Sequence, residues 1–365
     1  KEVYAFSRPQ QKADDITPIL KVQDNLYILS LSNGPTLAFK DIAMQLLGNL
    51  FEYVLQKENA EINILGATSG DTGSAAEYAM RGKKGINVFM LSPYQKMSRF
   101  QSAQMFSIQD PNIFNLSVKG VFDDCQDMVK QAFLDEELTS KMQLTSANSI
   151  NVARWLPQLF YFIFAYKQLH NRCQDIVFSV PSGNFGNVCA GMIAQQLGLQ
   201  INHFVASNNE NNVVTKFLKT EEYNPKPSIQ TISNAMDVGN PSNFIRIREI
   251  YKNSFNTLKE NLSSFSFSDA ETKEAMLEIY NQYGYISDPH GAVGYLGSKA
   301  FLKKNPKVHC VFLETAHPAK FLDVVENVIK TKVVLPKQIE AVMHKKKVAK
   351  KISSYEELKD FFLYP

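Results

Sequence analysis

Apolar positions between Lys40 and Leu134 follow two patterns that alternate along the chain. From Lys40 to Gln56 they recur at helical spacing, and the polar run from Lys57 to Ala60 ends this predicted helix. Short apolar runs and helix-period segments then alternate over residues 62–65, 74–80, 86–91, 97–106, 113–118 and 122–134. This rhythm is typical of a parallel sheet with crossover helices.

A second series of the same kind follows later in the chain. It comprises an apolar run at 176–180, a predicted helix at 187–197, and further runs at 201–206 and 308–313 before a closing helix. The fold class predicted is therefore α/β, with two parallel-sheet domains. Residues 221–242, which contain several prolines and asparagines, are predicted to form a long irregular connection.

Composition narrows the function classes. The formal net charge of +3 arises from 39 basic and 36 acidic residues, so we expect no nucleic-acid partner, and the basic cluster at 344–351 is interpreted as solvated surface. The four cysteines lack the paired spacing of a zinc or redox centre, which favours no metal and a reducing, cytoplasmic setting. Apolar runs such as Leu156 to Tyr166 are too short for a bilayer, and no secretory leader opens the chain.

A glycine-rich turn runs from Ser182 to Asn187, between an apolar strand and a predicted helix. Free backbone N–H groups and the positive end of a helix dipole suit a phosphate group. The turn lacks the Lys-Ser/Thr pair of a nucleotide P-loop, and its two glycines do not make the dinucleotide fingerprint. A plain strand-to-helix turn remains the alternative.

A second strand-to-helix turn lies within Leu65 to Ala76 and is dense in glycine and hydroxyl residues. Hydroxyls and exposed amides at a helix start suit a carboxylate or a phosphate, so this turn is a second candidate anion cradle. The alternative is simple N-capping of the helix by Ser69, Asp71 or Thr72.

A third segment runs from Ser32 to Asp41 and contains Lys40. Desolvation by Leu37, Ala38 and Phe39 would lower the pKa of the Lys40 amine and leave it able to form an imine, although a surface lysine opening a helix is the alternative. Two anion cradles and an imine-forming lysine together predict a cofactor that carries both a phosphate and an aldehyde. Pyridoxal 5'-phosphate has both groups.

Six ordered motifs extend this hypothesis over nearly the whole chain. They are Gly34–Asp41, Ala67–Gly73, Ser146–Asn151 with Arg154, Ser182–Asn187, Asp288–Gly294 and Glu314–Lys320. Together they resemble the threonine synthase family of pyridoxal-phosphate enzymes. The resemblance implies fold type II, in which a smaller α/β domain (44–150) is inserted in a larger one (1–43 and 151–365) and the cofactor lies between them. Family members usually carry an N-terminal segment before this point, so we expect the numbering to begin inside a longer protein.

The resemblance also implies roles for individual residues. Lys40 would hold the cofactor as a Schiff base, Thr315 would face the pyridine nitrogen, and Asp71 would lie at the phenolic oxygen. The cofactor phosphate would bind Ser182, Gly183, Asn184, Phe185, Gly186 and Asn187. Ser69 and Thr72 would bind the substrate carboxylate, and the substrate phosphate would bind Asn148, Ser149 and Arg154. An ion-paired helix residue is the alternative for Arg154, and His290 and His317 are interpreted as turn-stabilising.

The reaction implied is that of threonine synthase, a lyase that converts O-phospho-L-homoserine and water to L-threonine and phosphate by γ-elimination and β-addition. Three alternatives stay open. The first is a serine or threonine dehydratase of the same fold, the second is a catalytically silent binding homologue, and the third is a nucleotide-binding transferase, disfavoured by the missing P-loop lysine. We expect a monomer or a homodimer.

Overall fold

The computed structural model describes residues 17–148 and 151–364, and these residues form two compact units. The first unit contains 34–148, 151–154 and 335–364, and the second contains 17–33 and 155–334. Each unit is built around its own β-sheet.

The strands of the described residues are β1 (Ile19–Gln23), β2 (Leu26–Ser30), β3 (Ile62–Ala67), β4 (Ile86–Pro93), β5 (Ile113–Val118), β6 (Leu144–Ser146), β7 (Ile176–Pro181), β8 (His203–Asn208), β9 (Leu262–Ser266), β10 (His309–Glu314) and β11 (Lys350–Ile352). The α-helices are α1 (Lys40–Glu58), α2 (Asp71–Met80), α3 (Arg99–Phe106), α4 (Phe122–Leu134), α5 (Glu136–Lys141), α6 (Val152–Trp155), α7 (Leu159–Leu169), α8 (Gly186–Gln196), α9 (Val213–Thr220), α10 (Phe244–Ile250), α11 (Phe255–Asn261), α12 (Asp269–Tyr283), α13 (Pro289–Leu302), α14 (Leu322–Ile329), α15 (Lys337–Met343) and α16 (Tyr355–Leu363).

The sheet of the first unit is parallel, with the strand order β11-β5-β4-β3-β6. Successive side chains of a strand point to opposite faces, so Ile64 joins an apolar cluster with residues of α1, α2 and α3, and Leu65 joins one with α4 and α16. Helices therefore cover both faces, as a parallel sheet requires.

The sheet of the second unit has the order β1-β2-β10-β7-β8-β9. The β1–β2 pair is antiparallel and the remaining pairs are parallel. Three phenylalanines pack together in its core. The Phe162 ring lies edge-on to those of Phe178 and Phe204, with centroid distances of 5.0 Å and 5.9 Å. The first unit interrupts the second along the chain, and the α/β fold class with parallel sheets is confirmed.

The expected domain boundaries differ from the observed units at three places. Residues 34–43 and 151–154 belong to the first unit rather than to the larger domain. Residues 335–364 also belong to the first unit, because β11 pairs with β5 and the α16 residue Leu358 lies in the same apolar cluster as α4. Residues 221–242 are irregular as predicted, with only a short 3₁₀ turn at Asn234–Met236. None of the described helices combines the length and apolar character that a membrane crossing needs.

Candidate active site

Lys40 is the first residue of α1 and is partly exposed. The loop before it is held by Asp41, whose buried carboxylate accepts hydrogen bonds from the N–H of Thr36, at 2.9 Å, and from its hydroxyl. Leu37 adopts the left-handed conformation with φ of 59°, which is unusual for a leucine. A Cβ at Gly34 would overlap the Asp41 carboxylate, so this position requires glycine. The residues around Lys40 thus form a tightly specified loop, and the role of Asp41 in it was not predicted.

The turn after β3 is organised by the hydroxyl of Thr68, which accepts the N–H groups of Gly70 and Gly73, both at 2.9 Å. Ser69 and Thr72 are the partly exposed residues of a turn that is otherwise buried. Among the described residues, none pairs with their hydroxyls or accepts their backbone N–H groups. The two residues predicted to bind a carboxylate therefore present open hydrogen-bond donors, which supports an anion cradle.

Asp71 begins α2 and is buried. Its Oδ1 accepts a hydrogen bond from Nε2 of Gln101 at 3.1 Å, and Gln101 is itself buried on α3. Gln101 also packs over Gly70, which has φ of 133°. Gln101 was not predictable from the sequence, because the rest of α2, strand β4 and two loops separate it from Asp71 along the chain.

Asn148 and Arg154 lie beside this turn in the first unit. The Asn148 amide pairs with the backbone of Ala67, accepting its N–H and donating to its carbonyl, each at 3.3 Å. Arg154 is buried and donates from Nη1 to the carbonyl of Ala147 at 2.9 Å. The structure therefore brings Asn148 to the 67–73 turn, with its side-chain amide already engaged, and ties Arg154 to Ala147, the residue before Asn148. Ser149, the third predicted phosphate ligand, lies outside the described residues.

The glycine turn of the second unit connects β7 to α8. Ser182 is fully buried, donates its hydroxyl to Val180 and its N–H to Ser207, and so anchors the turn instead of presenting a free group. Phe185 adopts the left-handed conformation with φ of 62°. Among the described residues, none accepts the backbone N–H groups of residues 183–187. Five consecutive donors at a helix N-terminus form an anion-binding concavity.

The irregular segment that precedes α10 packs against this turn. Met236 Cα lies 2.9 Å from where a Cβ of Gly183 would be, so a side chain does not fit there. The carbonyl of Asn184 accepts the N–H of Asn243 at 3.3 Å, and Oδ1 of Asn184 accepts the N–H of Ser242 at 3.1 Å. The segment predicted to be irregular therefore supports the turn.

Asp237 holds this segment together. Its carboxylate accepts the N–H of Thr231 at 2.9 Å and the side-chain amides of Asn209, at 2.8 Å, and Asn211, at 3.1 Å. Burial raises the pKa of Asp237 to about 6, against the lowering effect of these donors.

Thr315 follows β10, which pairs with β7, so it lies at the same sheet edge as the glycine turn. Its side chain is buried, and its hydroxyl has no partner within the described part of the chain.

The two histidines of the motifs make local contacts. Nδ1 of His290 lies 2.6 Å from the Asp288 carboxylate, and its Nε2 accepts the N–H of Ala235. His317 accepts the N–H of Ala319. The geometry supports the turn-stabilising interpretation of both histidines.

The two candidate anion cradles and the lysine predicted to form an imine agree with the class of protein that the family models give. The model described as pyridoxal-phosphate dependent enzyme matches residues 8–315, and the model described as threonine synthase, C-terminal, matches residues 291–362. Threonine synthase of Methylobacillus glycogenes is 47% identical over 371 residues, which cover 93% of this chain and 78% of the relative. That of Saccharomyces cerevisiae is 38% identical over 411 residues, which cover 96% and 80%. The chain belongs to the threonine synthase family, and the resemblance carried by the six motifs is confirmed.

Solved structures agree with this assignment. The crystal structure of pyridoxal-phosphate-bound threonine synthase from Brucella melitensis superposes with a TM-score of 0.91 at 32% identity, over 99% of this chain and 82% of that one. A fungal L-serine ammonia-lyase from Rhizomucor miehei superposes with a TM-score of 0.64 at 13% identity, over 87% of this chain and 98% of that one, which shows the shared fold alone. The predicted fold type II and pyridoxal-phosphate cofactor are confirmed.

Proposed function

We propose that the chain converts O-phospho-L-homoserine and water to L-threonine and phosphate by γ-elimination and β-addition, as a carbon–oxygen lyase that acts on phosphate. The observation that carries this proposal is the match to threonine synthases over 93% of the chain or more. A dehydratase of the same fold is not favoured, since the solved ammonia-lyase is only 13% identical.

The residues present fit pyridoxal phosphate. The five open N–H groups of residues 183–187 suit the cofactor phosphate, and Lys40 supplies the amine for the covalent bond. The Thr315 hydroxyl suits the pyridine nitrogen. A hydroxyl there, rather than a carboxylate, leaves this nitrogen largely unprotonated, which tempers electron withdrawal by the ring. Asp71 is assigned to the phenolic oxygen, and Ser182 is assigned to anchoring the turn.

When bound, the cofactor supplies an electron sink that stabilises negative charge at the substrate carbons. The residues of the chain bind and orient the substrate. Ser69 and Thr72 hold the carboxylate with their open hydroxyls and amides, and Arg154 holds the phosphate with its planar guanidinium. The Lys40 amine moves protons at Cα and Cβ, which requires its neutral form. Phosphate leaves from Cγ, Cγ takes up a proton to become the methyl group of threonine, and water adds its hydroxyl at Cβ.

Replacing Lys40 tests the central assignment. Lys40→Ala should abolish both phosphate release and the visible absorption band of the lysine-bound cofactor. Lys83→Ala is a matched control, since Lys83 lies in the same unit and pairs with Glu52 at 2.9 Å in a partly buried ion pair. An active Lys40→Ala protein that keeps the band would refute the assignment.

Replacing Arg154 separates threonine synthase from dehydratase activity. Arg154→Leu should reduce threonine formation from phosphohomoserine by at least about a hundredfold, because a guanidinium bound to phosphate contributes several charge-assisted hydrogen bonds. Any deamination of serine should change much less. Arg81→Leu is the control, since Arg81 pairs with Asp110 at 3.1 Å on the unit's surface. Equal losses of both activities in Arg154→Leu would contradict the proposed phosphate contact.

The proposed partner is a small-molecule substrate, and the proposed assembly is either a monomer or a homodimer. Sedimentation at several protein concentrations distinguishes the two. The proposed compartment is the reducing cytoplasm, supported by the four cysteines, all of which are buried free thiols. Burial raises the pKa of Cys125, Cys189 and Cys310 to about 12, which makes them inert as nucleophiles.

A further inference from the structure

Helix α3 contacts both site loops of the first unit through one face. Gln101, Gln104 and Met105 are spaced three and four residues apart, so their side chains lie on the same side of the helix. All three are buried, although two of them are glutamines. Side-chain amides that are buried in a folded protein usually make specific hydrogen bonds.

The Gln101 contact is with the turn that follows β3. Its Nε2 donates to Asp71 at 3.1 Å, and its side chain covers Gly70 so closely that a Cβ there would lie 2.6 Å from Gln101 Cδ. One turn further along, Met105 covers Gly73 in the same way, with its Cε 2.6 Å from a Cβ placed there. The turn and α3 are therefore complementary at two successive glycines.

The Gln104 contact is with the loop that precedes Lys40. Its Nε2 donates to the carbonyl of Thr36 at 3.1 Å. Thr36 in turn donates twice to Asp41, the residue next to Lys40. Both Gln104 and Thr36 line a cleft of about 570 Å³, which leaves α3 space to shift if this hydrogen bond is lost.

We propose that α3 sets the position of Lys40 relative to Asp71, with Gln101 and Gln104 as positioning residues for the reaction. This inference rests on the proposed roles of Lys40 and Asp71. Neither glutamine touches the reacting atoms. Each fixes one loop to the same rigid helix, so that the amine and the carboxylate are held in one arrangement before any ligand binds.

The test compares Gln101→Met and Gln104→Met with Ser98→Ala. Methionine keeps the length of glutamine and removes its donor. In Gln101→Met it also removes Oε1, which accepts the Ser98 N–H at 3.2 Å, so this variant loses part of the helix cap as well. Ser98 caps α3 by accepting the Gln101 N–H at 3.1 Å, so Ser98→Ala weakens the same helix end while the Gln101–Asp71 bond stays. Amide hydrogen exchange of peptides 34–41 and 67–73 is measured without cofactor, and affinity for pyridoxal phosphate is measured by visible absorption.

We expect Gln101→Met to speed exchange in 67–73 and to weaken cofactor binding about tenfold, since the bond lost is to a carboxylate. Gln104→Met should speed exchange in 34–41 and weaken binding about fivefold, since the bond lost is between neutral groups. The double variant should lose less than the product of the single losses, because both bonds hold one helix. Ser98→Ala should lower stability and change neither loop.

Two failures can be told apart. If the wild-type protein gives no lysine-bound absorption band with pyridoxal phosphate, the proposed function falls, and hydrogen exchange alone then decides the role of α3. If the wild-type protein binds and both methionine variants behave as Ser98→Ala does, the positioning role is overturned.

Discussion

We expect the Asp41 carboxylate to stabilise the loop before Lys40. Its buried carboxylate accepts both the N–H and the hydroxyl of Thr36. Asp41→Ala removes both acceptors and leaves the buried Thr36 N–H without this partner, and hydrogen bonds to a charged group contribute about 1.5 to 3 kcal/mol each. Leu37 has an unfavourable φ of 59°, which these bonds help to maintain.

Asp41→Asn is the matched control. Its carbonyl oxygen can accept the Thr36 N–H, and its amide can donate to the Thr36 hydroxyl, so both hydrogen bonds are kept in neutral form. The charge near the N-terminus of α1 is lost equally in both variants. We therefore expect the alanine variant to be less stable than the asparagine variant by about 2 kcal/mol.

Urea unfolding of the cofactor-free protein measures this difference with two probes. The single tryptophan, Trp155, is buried in the second unit, so its fluorescence reports there, whereas circular dichroism reports on the helices of both units. Asp41→Ala should lower the circular-dichroism midpoint more than the fluorescence midpoint. Equal stability of the two variants, or an equal shift in both probes, would refute the reasoning.

Three further predictions concern other buried positions. Burial raises the pKa of Asp237 from 3.8 to about 6, so the folded state binds the proton more tightly than the unfolded state. The free energy of unfolding should therefore fall as the pH rises through this range, and Asp237→Asn should remove that dependence in urea titrations. Gly183→Ala, whose Cβ would lie 2.9 Å from Met236 Cα, should weaken cofactor retention in dialysis, whereas Gly284→Ala, which has open space around its Cβ and carries only the backbone strain of φ of 62°, should not. Burial also raises the pKa of Glu77 well above its ordinary value, which favours the uncharged form of the side chain, so Glu77→Gln should keep the unfolding free energy within about 1 kcal/mol in urea titrations.

The long helices and buried strands were predictable because their apolar spacing reflects burial directly. The predicted helix from Lys40 to Gln56 is α1, and the run at 113–118 is β5. Short strands gave no such signal: β6 is only partly buried, and β11 has one buried residue, Ile352. The C-terminal segment was assigned to the other domain because helices with a few buried positions do not indicate the sheet that they cover.

The contiguous site motifs were predictable for a different reason. Dense runs of glycines and hydroxyls between a strand and a helix are visible in the local sequence, so the turns near Ser69 and Gly183 stand out even though N-capping alone would need fewer such residues. Gln101 and Gln104 act through contacts with residues that are distant in sequence. Asp237 acts within a loop whose shape no periodic pattern describes. Hydrogen bonds of this kind are visible only once the chain has folded.

The order of elements explains why these motifs gather within each unit. The turn at 67–73 follows β3 and the 147–154 segment follows β6, and these strands are parallel neighbours. The turn at 182–187 follows β7 and Thr315 follows β10, which are also parallel neighbours. Carboxyl ends of adjacent parallel strands meet at one edge of a sheet, where ligands of open α/β folds bind. Lys40 follows no strand of its sheet directly, so its loop needs other supports, and the bonds from Asp41 and Gln104 to Thr36 provide them.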